Sequence, residues 1–218
     1  MNGIWEMNAW ALIKLGGPIM VPILLCSIFA LAITIEKFFY FASINVDTSK
    51  LKKDIFDAIK NNQIKEAITL CDNNRSPVAK ILKAGIIKFG SSREDIKENI
   101  EEASLFEIPK LESRLGILAT IAHVSPLLGL LGTATGIIAT FNTIQMRSAS
   151  MNPITAGNLA GGIGEALITT VAGLMVAVPT FIAYNYCVSR INHLTLDMER
   201  AATELINFMR RITESGAR

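Results

Sequence analysis

Three stretches of this 218-residue chain are too long and too free of charge for the surface of a water-soluble domain. Residues 15–35 hold no charged side chain over 21 positions. Residues 115–146 run for 32 positions with no charge beyond one on His123. Residues 166–189 add 24 uncharged positions directly after Glu165. Crossing the hydrocarbon core takes about 20 mostly apolar residues. Buried core helices are usually shorter and keep a polar face. The chain therefore reads as an all-α membrane protein with three transmembrane helices. Composition agrees, since 50% of residues are hydrophobic and 18% charged. That excludes a disordered chain. A formal net charge of +2 gives no basic surface for nucleic acid.

Charge placement sets the expected topology. Of 21 Lys and Arg, one lies in residues 1–14, 14 in 36–114, one in 147–164 and five in 190–218. Three spans put 19 on one side and 2 on the other. The positive-inside rule makes the rich side cytoplasmic, with the N-terminus out and the C-terminus in. The expected layout is a short periplasmic N-terminus (1–14), a first span (15–42) and a cytoplasmic helical segment (43–114). A second span (115–146), a periplasmic connection (147–160), a third span (161–189) and a cytoplasmic C-terminal helix (190–218) follow. The first span reads as a retained helix, because Glu36-Lys37 and aromatic residues stand where a signal peptide would have a small-residue cleavage site. Cys26, Cys71 and Cys187 fall in spans or cytoplasm, where free thiols are expected.

Residues 43–114 carry 13 basic and 12 acidic side chains, the balance of a solvated helical surface. Leu51, Ile55 and Ile59 recur at helical spacing. Asn61-Asn62 and Asp72-Asn73-Asn74 read as turns. Ser76-Pro77 opens a helix that Gly90 closes, and Ser91-x-x-Glu94 resembles a capping box. The helix after it, with Ile96, Ile100, Ala103, Phe106 and Leu111 on its apolar face, is expected to enter the second span without a break.

The second span carries a stripe of small residues, Ala122, Ser125, Gly129, Gly132, Gly136 and Ala139, at steps of three and four. Such a face lets helix backbones approach closely in lipid. With only three helices per chain, part of that contact is expected between chains. Thr133, Thr135 and Thr140 share the span. Gly173 and Ala177 extend the small-residue pattern in the third span, where Thr169 and Thr170 also lie. Pro22, Pro126 and Pro179, one per span, each free a backbone carbonyl and are expected to kink their helices. Glu165 opens the third span. A carboxylate there either serves function or caps the helix N-terminus, and position alone does not choose. His123 reads as a proton relay or as a neutral histidine hydrogen-bonded to a neighbouring helix. A lone threonine in a membrane helix commonly returns its hydroxyl to its own backbone. No metal-binding or hydrolase motif is present, which argues against an intramembrane enzyme.

Two segments resemble the signature of the MotA/TolQ/ExbB proton-channel family. One is Leu118-Ala-Thr-Ile-Ala-His-Val-Ser-Pro126-Leu-Leu-Gly129-Leu-Leu-Gly132-Thr133-Ala-Thr-Gly136. The other is Gly162-Ile-Gly-Glu165-Ala-Leu-Ile-Thr-Thr170-Val-Ala-Gly173-Leu-Met-Val-Ala-Val-Pro179. Gly16-Gly-Pro18-Ile-Met-Val-Pro22 is similar to short ExbB-type members. The resemblance implies a homopentameric ring in the bacterial inner membrane around an ExbD- or TolR-like single-span partner. That partner would supply a membrane aspartate, since no span here contains one. Proton flow would drive work on a TonB- or TolA-like protein that spans the periplasm. No cofactor or metal is implied. By position Thr133, Thr170 and Glu165 match the family's pore residues, with Thr135, Thr169 and Thr140 as further lining. On this reading apolar walls favour a protonated partner carboxyl and threonine hydroxyls favour its anion. Ala134-Thr135 stands where the family often has tryptophan, and His123 replaces a small residue. The extra hydroxyls keep Na⁺ open beside H⁺. ExbB-like uptake, a TolQ-like role in envelope integrity and a scaffold without an ion path are the readings to separate.

Overall fold

A computed structural model describes residues 15–44, 48–150, 153 and 155–216, with side chains for all of these except 156, 158 and 213–216. The expected N-terminal segment 1–14 and part of the 147–160 connection lie outside the described residues. The described residues form α-helices α1 (Met20–Ser43), α2 (Thr48–Lys60), α3 (Ile64–Asp72), α4 (Pro77–Ile87), α5 (Arg93–Glu112), α6 (Leu115–Ala149) and α7 (Ala156–Gly216). Three helical stretches are long and apolar enough to cross a membrane, in α1, α6 and α7. The chain divides into two compact units, residues 1–35 with 114–185 and residues 36–113 with 186–218.

In the second unit α2 to α5 pack in sequence order around a core that includes Ile55, Ile59, Ile81, Leu82, Ile86 and Leu111. The end of α7 adds Met198 and Leu205, both buried. Phe56 stacks on Phe208, with ring centroids 4.8 Å apart. A side chain at Gly85 would press on the ends of the Leu205 and Ile100 side chains, which would have to shift. Phe106, expected on the apolar face of its helix, is 63% exposed.

Local signals explain most helix ends. Ser76 caps α4 by accepting from the Ala79 N–H at 3.2 Å, and Pro77 follows at the first helical position. Asn62 and Gly90 take positive φ of 62° and 88° in the turns after α2 and α4. The capping box before α5 is shifted by one residue from the expected Ser91 and Glu94. Ser92 Oγ accepts from the Asp95 N–H, and the Asp95 carboxylate accepts from the Ser92 N–H. Two serines followed by two acids offer both frames, and the shorter aspartate closes the box.

The expected continuity of α5 into the second span does not hold. Ser113 and Arg114 interrupt the helix, and Arg114 adopts φ 63°. The buried side chain of Lys37 on α1 sits at this break. Its ammonium donates to the Leu111 carbonyl at 2.8 Å and to Ser113 Oγ at 3.3 Å. In an unbroken helix the Leu111 carbonyl would accept from residue 115. Glu107, also buried, accepts from Lys80 at 2.7 Å and Lys110 at 2.6 Å.

In the first unit Pro22 is a second correction. It lies in the first turn of α1, where a missing N–H breaks no intrahelical bond, so it needs no kink. Pro126 and Pro179 sit inside α6 and α7. Many large apolar side chains of these helices are exposed, among them Phe29, Leu127, Phe141, Leu167 and Met175. That suits lipid or further protein as their surroundings.

Candidate functional site

The small-residue stripe of α6 meets α7 of the same chain. A Cβ placed on Gly129 would stand 3.0 Å from Thr170 Cα. One on Gly136 would stand 2.8 Å from the Gly162 carbonyl oxygen, and one on Gly173 2.6 Å from that of Ser125. One on Gly132 would fall on the Thr169 side chain, and one on Gly162 on Thr140. Rising numbers on α6 meet falling numbers on α7, so the two helices run antiparallel. Ala177 continues the buried face of α7. The stripe is thus used within the chain. Only Ala139, at its end, is exposed.

The threonines follow the same geometry. Thr170 Oγ1 donates across the helix pair to the Gly129 carbonyl at 3.1 Å, with the Ala166 carbonyl of its own helix at 3.2 Å. Thr169 is fully buried and donates to the Ala166 carbonyl at 2.9 Å. Thr140 is buried and donates to the Gly136 carbonyl at 2.9 Å. Thr133, half-buried, donates to the Leu130 carbonyl at 2.6 Å. Thr135 is exposed and lies 3.1 Å from the carbonyls of Leu131 and Gly132.

Helical phase divides these residues. At about 100° per residue, Thr133 lies about 60° past the centre of the α6 glycine face, and Thr170 about 60° past the corresponding face of α7. Residues that step the same way off the contact line of an antiparallel pair fall on one side of it. Thr133 and Thr170 therefore share a side. His123 shares it too, with its ring 6.2 Å from Phe181 in an edge-on arrangement. Its Nδ1 lies 2.7 Å from the Ala119 carbonyl, in its own helix rather than a neighbouring one.

Glu165 is on the other side. Five residues turn a helix through about 140° beyond a full turn, which separates it from Thr170. Its half-buried carboxylate lies over Gly17, where any Cβ would overlap Oε1. Gly17 has φ 66°, a second reason for glycine there. Gly16 approaches Ile168 on the same face of α7. Further along, Ser27, Ala30, Leu31 and Thr34 of α1 share a small cavity with Val176, Pro179 and Thr180. The structure thus brings Thr133 and Thr170 to one side of the α6–α7 pair and sets Glu165 on the side that α1 covers.

Two positions carry more than sequence reasoning assigned. Gly17 cradles the Glu165 carboxylate, and the Gly-Gly doublet before Pro18 was its signal. Ser125 is fully buried, and its hydroxyl has no hydrogen-bond partner among the described residues. Each pore-candidate hydroxyl has a backbone carbonyl within hydrogen-bond distance.

Residues 73–200 match the MotA/TolQ/ExbB proton channel family, more than half of the chain. The chain belongs to this family. A "Putative biopolymer transport protein ExbB-like 3" from Synechocystis is 32% identical over 170 residues, which cover 78% of this chain and 80% of that protein. The "Biopolymer transport protein ExbB" of Aquifex aeolicus is 36% identical over 118 residues, 54% of this chain and 76% of its own. The "Tol-Pal system protein TolQ" of Haemophilus influenzae is 39% identical over 105 residues, 48% of this chain and 44% of its own. As a member of the MotA/TolQ/ExbB family the chain is a membrane-associated proton channel subunit. The family match covers all of α6 and the part of α7 that holds Glu165, Thr169 and Thr170.

Proposed function

We propose that this chain is the ring-forming subunit of an ion-driven motor in a bacterial inner membrane, with its N-terminus out and its C-terminus in. Five copies surround the transmembrane segments of an ExbD- or TolR-like partner, whose membrane aspartate carries the proton. Na⁺ in place of H⁺ is the alternative ion. The ring converts ion flow into work on a TonB-like protein that serves outer-membrane import. The observation that carries this reading is the pairing of Thr133 and Thr170 on one side of the close-packed α6–α7 pair, away from α1. A glycine-tight pair gives a rigid wall, and its threonines give that wall polar oxygens.

The TolQ-like role rests on a specific observation as well, the 39% identity to a TolQ over 105 residues. Both roles use one motor chemistry, and a neighbouring gene of TonB or TolA type separates them. The test is proton flux into liposomes, first with the chain alone and then with its co-purified partner. Flux that needs the partner and falls in Thr133→Val, Thr170→Val and Glu165→Ala, with the ring intact, supports the motor. Unchanged flux in all three returns the chain to a scaffold role. Dependence on a sodium gradient, with no response to a protonophore, moves the ion from H⁺ to Na⁺.

A further inference from the structure

Where α1 ends, a cavity of about 430 Å³ opens among Tyr40, Ser43, Asn74, Arg75, Lys80 and Lys83. The turn between α3 and α4 and the first turns of α4 form its other walls. One carboxylate, Asp72, shares the lining and pairs with Lys83. Lys80 donates to Glu107, which also accepts from Lys110. Arg75 pairs with no carboxylate among the described residues. Four cations therefore share two carboxylates, and the cavity keeps a surplus of positive charge. Asn74 Oδ1 accepts from the Ser76 N–H at 2.9 Å, which leaves the amide Nδ2 as a donor. Surplus charge and surplus N–H donors in one concavity fit an anion with several oxygens, above all a phosphate.

The position narrows the source. Tyr40 and Ser43 belong to the last turn of α1, a helix long and apolar enough to cross a membrane. Phe38 and Phe39, just before them, are 62% and 69% exposed. A phosphate held at this helix end has an apolar surface beside it along which acyl chains can lie. A soluble phosphate would make no use of that surface. We propose that this cavity binds the phosphate of an anionic phospholipid headgroup at the membrane surface. The site is separate from the candidate ion path and does not depend on the motor reading. It gives the chain a lipid contact defined by charge, beyond the general apolar match of its spans.

Native mass spectrometry of the full chain in detergent tests it, with phosphatidylglycerol and phosphatidylcholine offered at equal concentration. Wild type is expected to retain phosphatidylglycerol preferentially. Arg75→Gln should lower that retention about fivefold, the effect of one basic side chain near an anionic surface. Arg75→Lys should preserve most of it. Arg93→Gln, at another exposed arginine, on α5, should leave it unchanged. Arg75 is exposed, so its substitution should spare the fold, and a thermal melt beside each spectrum checks this. Equal retention of the two lipids by wild type, or an Arg75→Gln chain that matches wild type, overturns the proposal. So does displacement of the lipid by inorganic phosphate at equal concentration, which would make a soluble phosphate the ligand.

Discussion

The Thr170 hydroxyl on α7 donates to the Gly129 carbonyl on α6 at 3.1 Å. This bond joins the two helices at one of the points where glycine lets their backbones approach closely. It ties a candidate pore residue to the packing that positions it. Thr170→Val keeps the shape and removes the donor. We expect a loss of about 0.6–1 kcal/mol of stability, the usual scale of an interhelical hydrogen bond in membranes. Thr170→Ser should recover most of it. Thermal unfolding in detergent measures the loss, and proton flux at the same temperature reads the role in the path separately.

Gly173 and Gly164 lie in one helix and should respond in opposite ways to alanine. A Cβ on Gly173 would press on the Ser125 carbonyl, which is backbone and cannot swing aside. A Cβ on Gly164 meets nothing within 4 Å. Gly173→Ala is expected to cost about 1–3 kcal/mol through overpacking. Gly164→Ala should be neutral or stabilise by up to about 1 kcal/mol through helix propensity. Melting temperatures of the two variants, measured side by side, test the contrast.

Lys37→Met should loosen the end of α5. It leaves the Leu111 carbonyl without its lysine donor and removes the cation beside a helix C-terminus. We expect a loss of about 1–3 kcal/mol, the cost of a buried group left without its partner. Limited trypsin digestion gives a local readout, since cleavage after Arg114 should speed up relative to cleavage after Arg93. An unchanged ratio would mean that Lys37 does not hold this end.

Cys71 should be a slow thiol. Burial, with the Asp72 charge beside it, pushes its pKa up to about 12, against a smaller opposing effect of Lys83. The thiolate is the reactive form, so at pH 8 the native chain should react at least ~10³-fold more slowly than an open cysteine. The rate should rise with pH until unfolding intervenes. Maleimide labelling of a Cys26→Ser, Cys187→Ser chain, with and without denaturant, measures this. Rapid labelling at pH 8 without denaturant would contradict the burial.

The sequence was most legible where one residue type acts alone over distance. Uncharged length marked the three spans, and Ser76-Pro77 marked the start of α4. It was less legible where neighbours compete. Ser91 and Ser92 each have an acid three positions on, and only folded geometry selects Asp95. The break at Ser113-Arg114 was not legible, because the donor that meets the end of α5 is a lysine 74 positions earlier than Leu111. The glycine stripe announced a tight helix contact but not its partner, since a face of small residues does not say what lies against it. Spacing did carry one fact that the family resemblance obscured. Residues 165 and 170, five apart, cannot share a helix face with each other.

The direction of the threonine hydroxyls has an electrical consequence. Thr133 and Thr170, on one side of the pair, each donate to a helix carbonyl and leave lone pairs outward. A surface of this kind is negative without a formal charge. It solvates hydronium or a bare metal cation and repels anions, and water beside it orients with hydrogens toward the helices. On the motor reading, sign selectivity in this helix pair is set by these rotamers. Turning one hydroxyl outward would break a hydrogen bond to the backbone and reverse the local dipole.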